Sequence, residues 1–174
     1  LKREPYLYEP VRVIEKIIPE IIYRDENRIR LDFKKNFAGV ISFTAKGARG
    51  GKVIVRFAET LNADGTLYTA NLRRAKCTDE LILSGGYDVF DPEFTFHGFR
   101  YAEISSDSEF TATDIIGKEL SQNINYGGRF ECSDDIINGV YKMASNGQKS
   151  NFISIPTDCP QRDERLGWTG DAEV

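Results

Sequence analysis

A chain of 174 residues with 40% hydrophobic and 29% charged side chains has the composition of one globular domain, or of one domain and part of another. The net charge of -4, with no basic cluster, argues against a nucleic-acid partner. No apolar run approaches the roughly 18 residues of a membrane helix, so no membrane partner is expected. The sequence opens on Leu1 without a signal-like segment and closes on Val174 just after a charged stretch, so both ends read as cut from a longer protein. Three cysteines, Cys77, Cys132 and Cys159, are too few and too scattered for a disulfide framework or a zinc pattern. Read as free thiols, they lean the compartment toward the cytoplasm. His97 is the only histidine, so any Ser-His or Cys-His system would have to run through it. No cofactor and no metal are expected.

Residues 1–10 hold two prolines and read as an incoming linker. From 11 to 117 the texture is β. Ile29, Leu31 and Phe33 alternate with Arg30, Asp32 and Lys34, the pattern of a half-buried strand. Ile41, Phe43 and Ala45 alternate likewise. Gly50 and Gly51 then mark a turn before Val53, Val55 and Phe57, which predicts a hairpin. Asp64 and Gly65 form the next turn. The stretch 66–77 has no period and is either a long loop or an irregular edge strand. Leu81 and Leu83 mark a further strand. Phe94 and Phe96 fall in one phase, Phe99 and Tyr101 in the other, which predicts a bulge at His97 and Gly98 with these aromatics in the core. A sugar-stacking platform is the competing role for the four rings. The sum is an antiparallel β-sandwich of jelly-roll type.

Near 118 the texture changes. Phe130 and Cys132 suggest a short strand, and Ser133 before Asp134 and Asp135 suggests a helix N-cap. Ile136, Ile137, Val140, Tyr141 and Ala144 recur at helical spacing, predicting an amphipathic helix to about Lys149. Its apolar face is expected to be exposed in this chain. Residues 118–174 therefore read as a connector and the beginning of a helical domain.

Residues 154–171 concentrate Asp158, Asp163, Glu164, Asp171, Arg162, Arg165 and the only tryptophan, Trp168, among prolines and glycines. So many breakers make this a loop. Its bland reading is a solvated loop in which Arg162 and Arg165 neutralise Asp163 and Asp158. Its functional reading is glycoside chemistry, which needs one carboxylic acid to protonate the leaving oxygen and a second carboxylate as base or nucleophile. An indole face suits the apolar side of a sugar ring. On composition alone the four carboxylates are near-equal candidates for the acid. Cys159 reads as a small buried residue.

The run PTDCPQRDERLGWTGD at 156–171 resembles the signature of bacterial α-L-rhamnosidases, as do FAETL at 57–61, DGTLY at 64–68, FHGFRY at 96–101 and RFECSD at 129–134. The resemblance covers about residues 11–174. It implies a concanavalin-like, jelly-roll β-sandwich followed by a helix and loop from the start of an (α/α)6 catalytic barrel. It also implies hydrolysis of terminal α-L-rhamnose from glycosides with inversion. By motif position Glu164 resembles the general acid, and Asp158, Arg162, Trp168 and Asp171 resemble residues that line and bind the rhamnose subsite. The general base it implies is a glutamate downstream of this chain. The expected partners are rhamnose-containing glycosides and the remaining barrel helices, with the choice between monomer and homodimer open. A non-catalytic carbohydrate-binding or structural sandwich is the alternative.

Overall fold

The computed structural model describes residues 9–122 and 127–170, so residues 1–8 of the linker expected at 1–10 and the subsite residue Asp171 lie outside the described residues. In chain order the elements are β1 (Val11–Ile17), β2 (Glu20–Arg24), β3 (Arg28–Gly47), β4 (Lys52–Ala58), β5 (Thr60–Leu61), β6 (Leu67–Tyr68), a 3-10 turn at Ala70–Leu72, β7 (Thr78–Ile82), β8 (Tyr87–Phe90), β9 (His97–Ser106), β10 (Phe110–Gln122), α1 (Asp135–Asn151), β11 (Phe152–Ile153) and β12 (Ile155–Pro156).

The spine is β3. Its first part pairs with β2 and β9, with Ile29 opposite Ile104 and Leu31 opposite Ala102. Its second part pairs with β10 and β8, with Ile41 opposite Gly117 and Phe43 opposite Phe90. Every pairing is antiparallel, and the main path runs β1-β10-β3-β9-β4-β7. Between the two parts of β3 the register with β9 shifts from Asp32 to Phe37, and Lys34 takes a φ of 61°. Extra residues on one strand bend it and increase its twist. The sheet therefore curls around one buried cluster that includes Ile29, Leu31, Phe43, Val53, Phe57 and Ile104. At the bend Phe33, Phe37 and Phe57 surround the Phe99 ring at centroid distances of 5.4, 4.5 and 4.7 Å. Each such fully buried ring contributes about 1.5–3 kcal/mol of burial free energy.

Arg30 and Asp32 of the charged phase of β3 are buried as well, while Lys34 is exposed. Arg30 donates from Nε and Nη2 to Glu103 at 3.0 and 2.7 Å. Asp32 accepts from Arg100 Nε at 2.9 Å, from Arg100 Nη2 at 3.0 Å and from the Lys34 amide at 2.7 Å. The Arg100 guanidinium, with help from Lys34, holds the Asp32 carboxyl well below the usual carboxylate range against the opposing cost of burial.

The mainly β fold, a curled antiparallel sandwich with one helix, is the expected one. Several local expectations are corrected. The alternating runs of β3 and β4 do not pair as a hairpin. Gly51 donates to Ala48 O at 3.0 Å, which makes the turn, but β9 lies between the two strands. The phase change at 94–101 is the start of β9 rather than a bulge in it, because His97, Gly98 and Phe99 pair in regular register with Gly39, Ala38 and Phe37. Phe94, outside that strand, is fully exposed and is no core residue. No strand forms at Phe130 and Cys132. Instead the Cys132 amide donates to Asn138 Oδ1 at 2.9 Å and its carbonyl accepts from Asn138 Nδ2 at 2.8 Å, so a side chain satisfies that backbone.

The N-cap of α1 is Asp134, not Ser133. Its carboxylate accepts from the amides of Ile136 at 2.8 Å and Ile137 at 3.2 Å. A carboxylate meets both the unpaired amides and the positive end of the helix dipole. The C-terminal end of α1 is anchored on the sandwich. Ser121 Oγ, at the end of β10, donates to Lys149 O at 2.9 Å, and Asn146 Nδ2 donates to Asn36 O at 2.7 Å. Ile136, Val140 and Met143 on its apolar face are exposed.

Candidate active site

The charged loop is built outward from the end of α1. Gln122 Nε2 donates to Ser154 O at 2.7 Å and fixes the exit from the helix. Strands β11 and β12 form a two-residue hairpin around Ser154, which has a φ of 74°. The Thr157 amide then donates to Asn151 O at 3.0 Å, and the Trp168 amide to Pro156 O at 3.0 Å. The loop between them closes on itself where Thr157 bridges Gly167. A Cβ at Gly167 would lie 2.9 Å from Ile155 Cγ2, so a side chain there would have to push Ile155 aside.

The floor of the loop is the sandwich. Cys159 is buried, as its small apolar character suggests. Pro160 and Gln161 sit on β9 where a Cβ at Gly98 would stand 2.7 Å from Pro160 Cγ and 3.0 Å from Gln161 Cβ. The Cys77 thiol donates to Gln161 O at 2.8 Å. The Arg165 guanidinium lies over the Phe96 ring, 4.7 Å from its centroid. Thus Phe96, Gly98 and Cys77 form a seat for the loop. His97 between them packs against the Phe57 ring at 4.3 Å with Nε2 3.0 Å from both Asp79 oxygens, a structural ring rather than a base. Cys77, Cys132 and Cys159 are all free.

On this seat Glu164 is the hub. Arg162 donates to Oε2 from Nε at 3.0 Å and from Nη2 at 2.7 Å, and Arg73 of the sandwich pairs with Oε1. The Cys159 thiol lies 3.9 Å from Oε2 and 3.4 Å from Asp158 Oδ2. Burial pushes the Cys159 thiol up, so it stays protonated near neutrality. Asp158, Cys159 and Glu164 thus offer three ligand atoms within 4.8 Å of one another, but the thiol keeps its proton and both Glu164 oxygens are on arginines. This is a hydrogen-bonded cluster, not a preformed cation site. Arg162 and Arg165 do not neutralise Asp163 and Asp158. One is on Glu164 and the other on an aromatic face.

Beside the cluster a cavity of about 480 Å³ opens between α1 and the loop. Tyr141, Asn151, Phe152, Asp158 and Trp168 line it. Asp158 Oδ1 is buried there with no hydrogen-bond partner, and Trp168 is half-exposed. Of the residues singled out from sequence, Asp158 and Trp168 therefore meet at the cavity wall. Arg162 and Glu164 meet each other next to it, outside the lining. Asp171 falls outside the described residues. Tyr141 and Asn151, on the helix, carry no sequence signal beyond their periodicity, and Arg73 lies 91 positions before its partner.

Residues 23–121 match the family model of the bacterial alpha-L-rhamnosidase concanavalin-like domain, and residues 125–174 match that of the bacterial alpha-L-rhamnosidase 6 hairpin glycosidase domain. The chain belongs to the bacterial α-L-rhamnosidase family. An α-L-rhamnosidase of Streptomyces avermitilis is 42% identical over 146 residues, 83% of this chain and 14% of that protein. The structure of the α-L-rhamnosidase from Dictyoglumus thermophilum superposes with a TM-score of 0.86 at 40% identity over 95% of this chain and 19% of its own. A Streptomyces avermitilis α-L-rhamnosidase structure, complexed with L-rhamnose, gives 0.83 at 38% identity over 95% of this chain and 16% of its own. The chain thus spans less than a fifth of the length of these rhamnosidases.

Proposed function

We propose that the chain is the accessory sandwich and the opening of the catalytic domain of an enzyme that hydrolyses terminal, non-reducing α-L-rhamnose from glycosides with inversion. The observation that supports it is the Asp158 and Glu164 carboxyl groups, within 4.8 Å of each other and beside a cavity that Trp168 lines, in a chain of this family. In this reading Glu164 gives its proton to the glycosidic oxygen as the bond to the anomeric carbon breaks. Water attacks the opposite face, and a base takes its proton. That base is a glutamate of the helical domain outside these 174 residues, as the family resemblance implies. The indole of Trp168 packs on the apolar face of the sugar, and Asp158 on the same cavity wall accepts from a ring hydroxyl. Arg162 orients Glu164, and Asp171 completes the subsite. The partners are the rhamnose-containing glycoside, the helices that cover the apolar face of α1 and, in a homodimer, a second copy of the chain.

The test is Glu164→Gln in the complete enzyme. Proton donation by a positioned acid is worth about 10²–10⁴-fold. Turnover of an alkyl rhamnoside, whose leaving group needs the proton, should fall by that factor. Turnover of a dinitrophenyl rhamnoside, whose leaving group does not, should fall far less. Equal retention of both activities would remove Glu164 from the acid role.

A further inference from the structure

The Glu164 carboxyl is held from two domains. Arg162 is two residues away on the same loop and takes Oε2. Oε1 is taken by Arg73, which belongs to the sandwich and immediately follows the 3-10 turn at Ala70–Leu72. Among the described residues this is the only ion pair of Arg73. Its backbone has φ 55° and ψ -112°, far from the ordinary regions for a residue with a side chain. Such conformations persist where surrounding structure imposes them, and they cluster at functional sites. Here the surroundings are evident. Leu72 is buried in the sandwich core and fixes one side of Arg73, and Cys77 fixes the other through its bond to Gln161 O of the loop. The Gly98 contact with Pro160 and Gln161 keeps loop and sandwich at van der Waals distance. The sandwich therefore delivers a guanidinium to one defined oxygen of the candidate acid through a path of short contacts.

We propose that Arg73 is a positioning residue for Glu164, by which the β-sandwich directs the carboxyl of the acid. The inference rests on the reading of Glu164 as the acid. Arg162 alone holds a single oxygen and leaves the carboxyl plane free to turn. Arg73 on the other oxygen fixes the plane, and with it the direction in which a proton can be delivered. The sandwich is then part of the catalytic machinery and not only an appendage that stabilises it.

The experiment compares Arg73→Met, Arg73→Lys, Glu164→Gln and the double variant in the complete enzyme, on alkyl and dinitrophenyl rhamnosides. Arg73→Met should lower kcat on the alkyl substrate by about 10- to 100-fold, the scale of a misdirected catalytic group, with KM little changed. The dinitrophenyl substrate should be nearly unaffected, and Arg73→Lys should recover part of the loss. The groups the structure places against Glu164 are Arg162, Asp158 and Cys159 on the loop and Arg73 on the sandwich. Because Arg73 acts through Glu164, the double variant should be no slower than Glu164→Gln alone. A merely structural contact would lower both substrates together, with no selective recovery in Arg73→Lys, which overturns the inference. Wild-type kcat in Arg73→Met beside a crippled Glu164→Gln also overturns it while the acid reading stands. An unimpaired Glu164→Gln sinks both.

Discussion

The sandwich and the charged loop both place charge inside a folded chain, and they hold it there differently. In the sandwich Asp32 is buried with three groups donating to its two oxygens, and Arg30 shares Glu103 and the Gly65 carbonyl. Elsewhere in the sandwich Asn71 Oδ1, His97 Nδ1, Ser108 Oγ and Glu119 Oε1 are buried without partners. In the loop Asp158 Oδ1 and Arg165 Nε are buried without partners, Ser154 and Arg165 sit at positive φ, and Trp168 is half-exposed. An unmet buried donor or acceptor costs about 1–3 kcal/mol, and both regions carry such costs. The difference is that the loop is held in place from outside, by Gly98, Cys77, Phe96 and Arg73 of the sandwich. A self-sufficient scaffold and a dependent loop predict different responses to substitution.

The largest response should come from the scaffold. Phe99→Ala removes the ring around which Phe33, Phe37 and Phe57 pack. It should cost about 3–5 kcal/mol. Sandwich and loop should then unfold in one transition at a lower denaturant midpoint. A loop that kept its hydrogen-exchange protection while the sandwich lost it would break the asymmetry.

A smaller and more selective response is expected from Gly98→Val. The new side chain meets Pro160 and Gln161 at distances that force one side to move. On the sandwich side Gly98 is held by its pairing with Ala38, so the loop should give way. Overpacking of this kind costs about 1–3 kcal/mol where nothing relaxes. Amides 157–165 should exchange faster while those of β3 and β9 keep their rates. Equal acceleration in both would show that the loop is as rigid as its seat.

How far these regions were legible in the sequence follows the same division. Alternation at 29–33, 41–45 and 53–57 marks real strands, because a curled sheet buries one phase by the hydrophobic effect alone. It does not reveal that Arg30 and Asp32 are buried too, since that depends on partners about 70 positions away. The turn at Gly50 and Gly51 is legible as a turn, but local chemistry does not say which strand lies alongside, and β9 begins only at His97, far along the chain. At Asp134 the serine signal misleads by one position because either side chain can cap, and the carboxylate takes the amides. In the loop the residue types are visible and their pairing is not. Opposite charges at close spacing suggest Arg162 with Asp163 and Arg165 with Asp158. The backbone at Arg165, with a φ of 47°, instead accompanies a guanidinium turned onto Phe96. Glu164 is thereby left to Arg162 and to an arginine from another domain.

The smallest expected effect tests the third region, α1, which belongs fully to neither. Its C-terminal end is tied to β10 and β3, while Ile136 is 79% exposed and Met143 69% exposed at its free face. Exposed substitutions of this kind change stability by no more than about 0.5 kcal/mol. In the 174-residue chain Ile136→Lys should therefore leave the denaturant midpoint where it is. In the complete enzyme the same substitution should cost about 1–3 kcal/mol if further helices bury that face, because a charge would then enter an apolar contact. The difference between the two measurements reports whether the face is covered. Equal small values in both would mean that α1 carries the loop from the sandwich alone, and the dependence of the loop on its seat would then be complete.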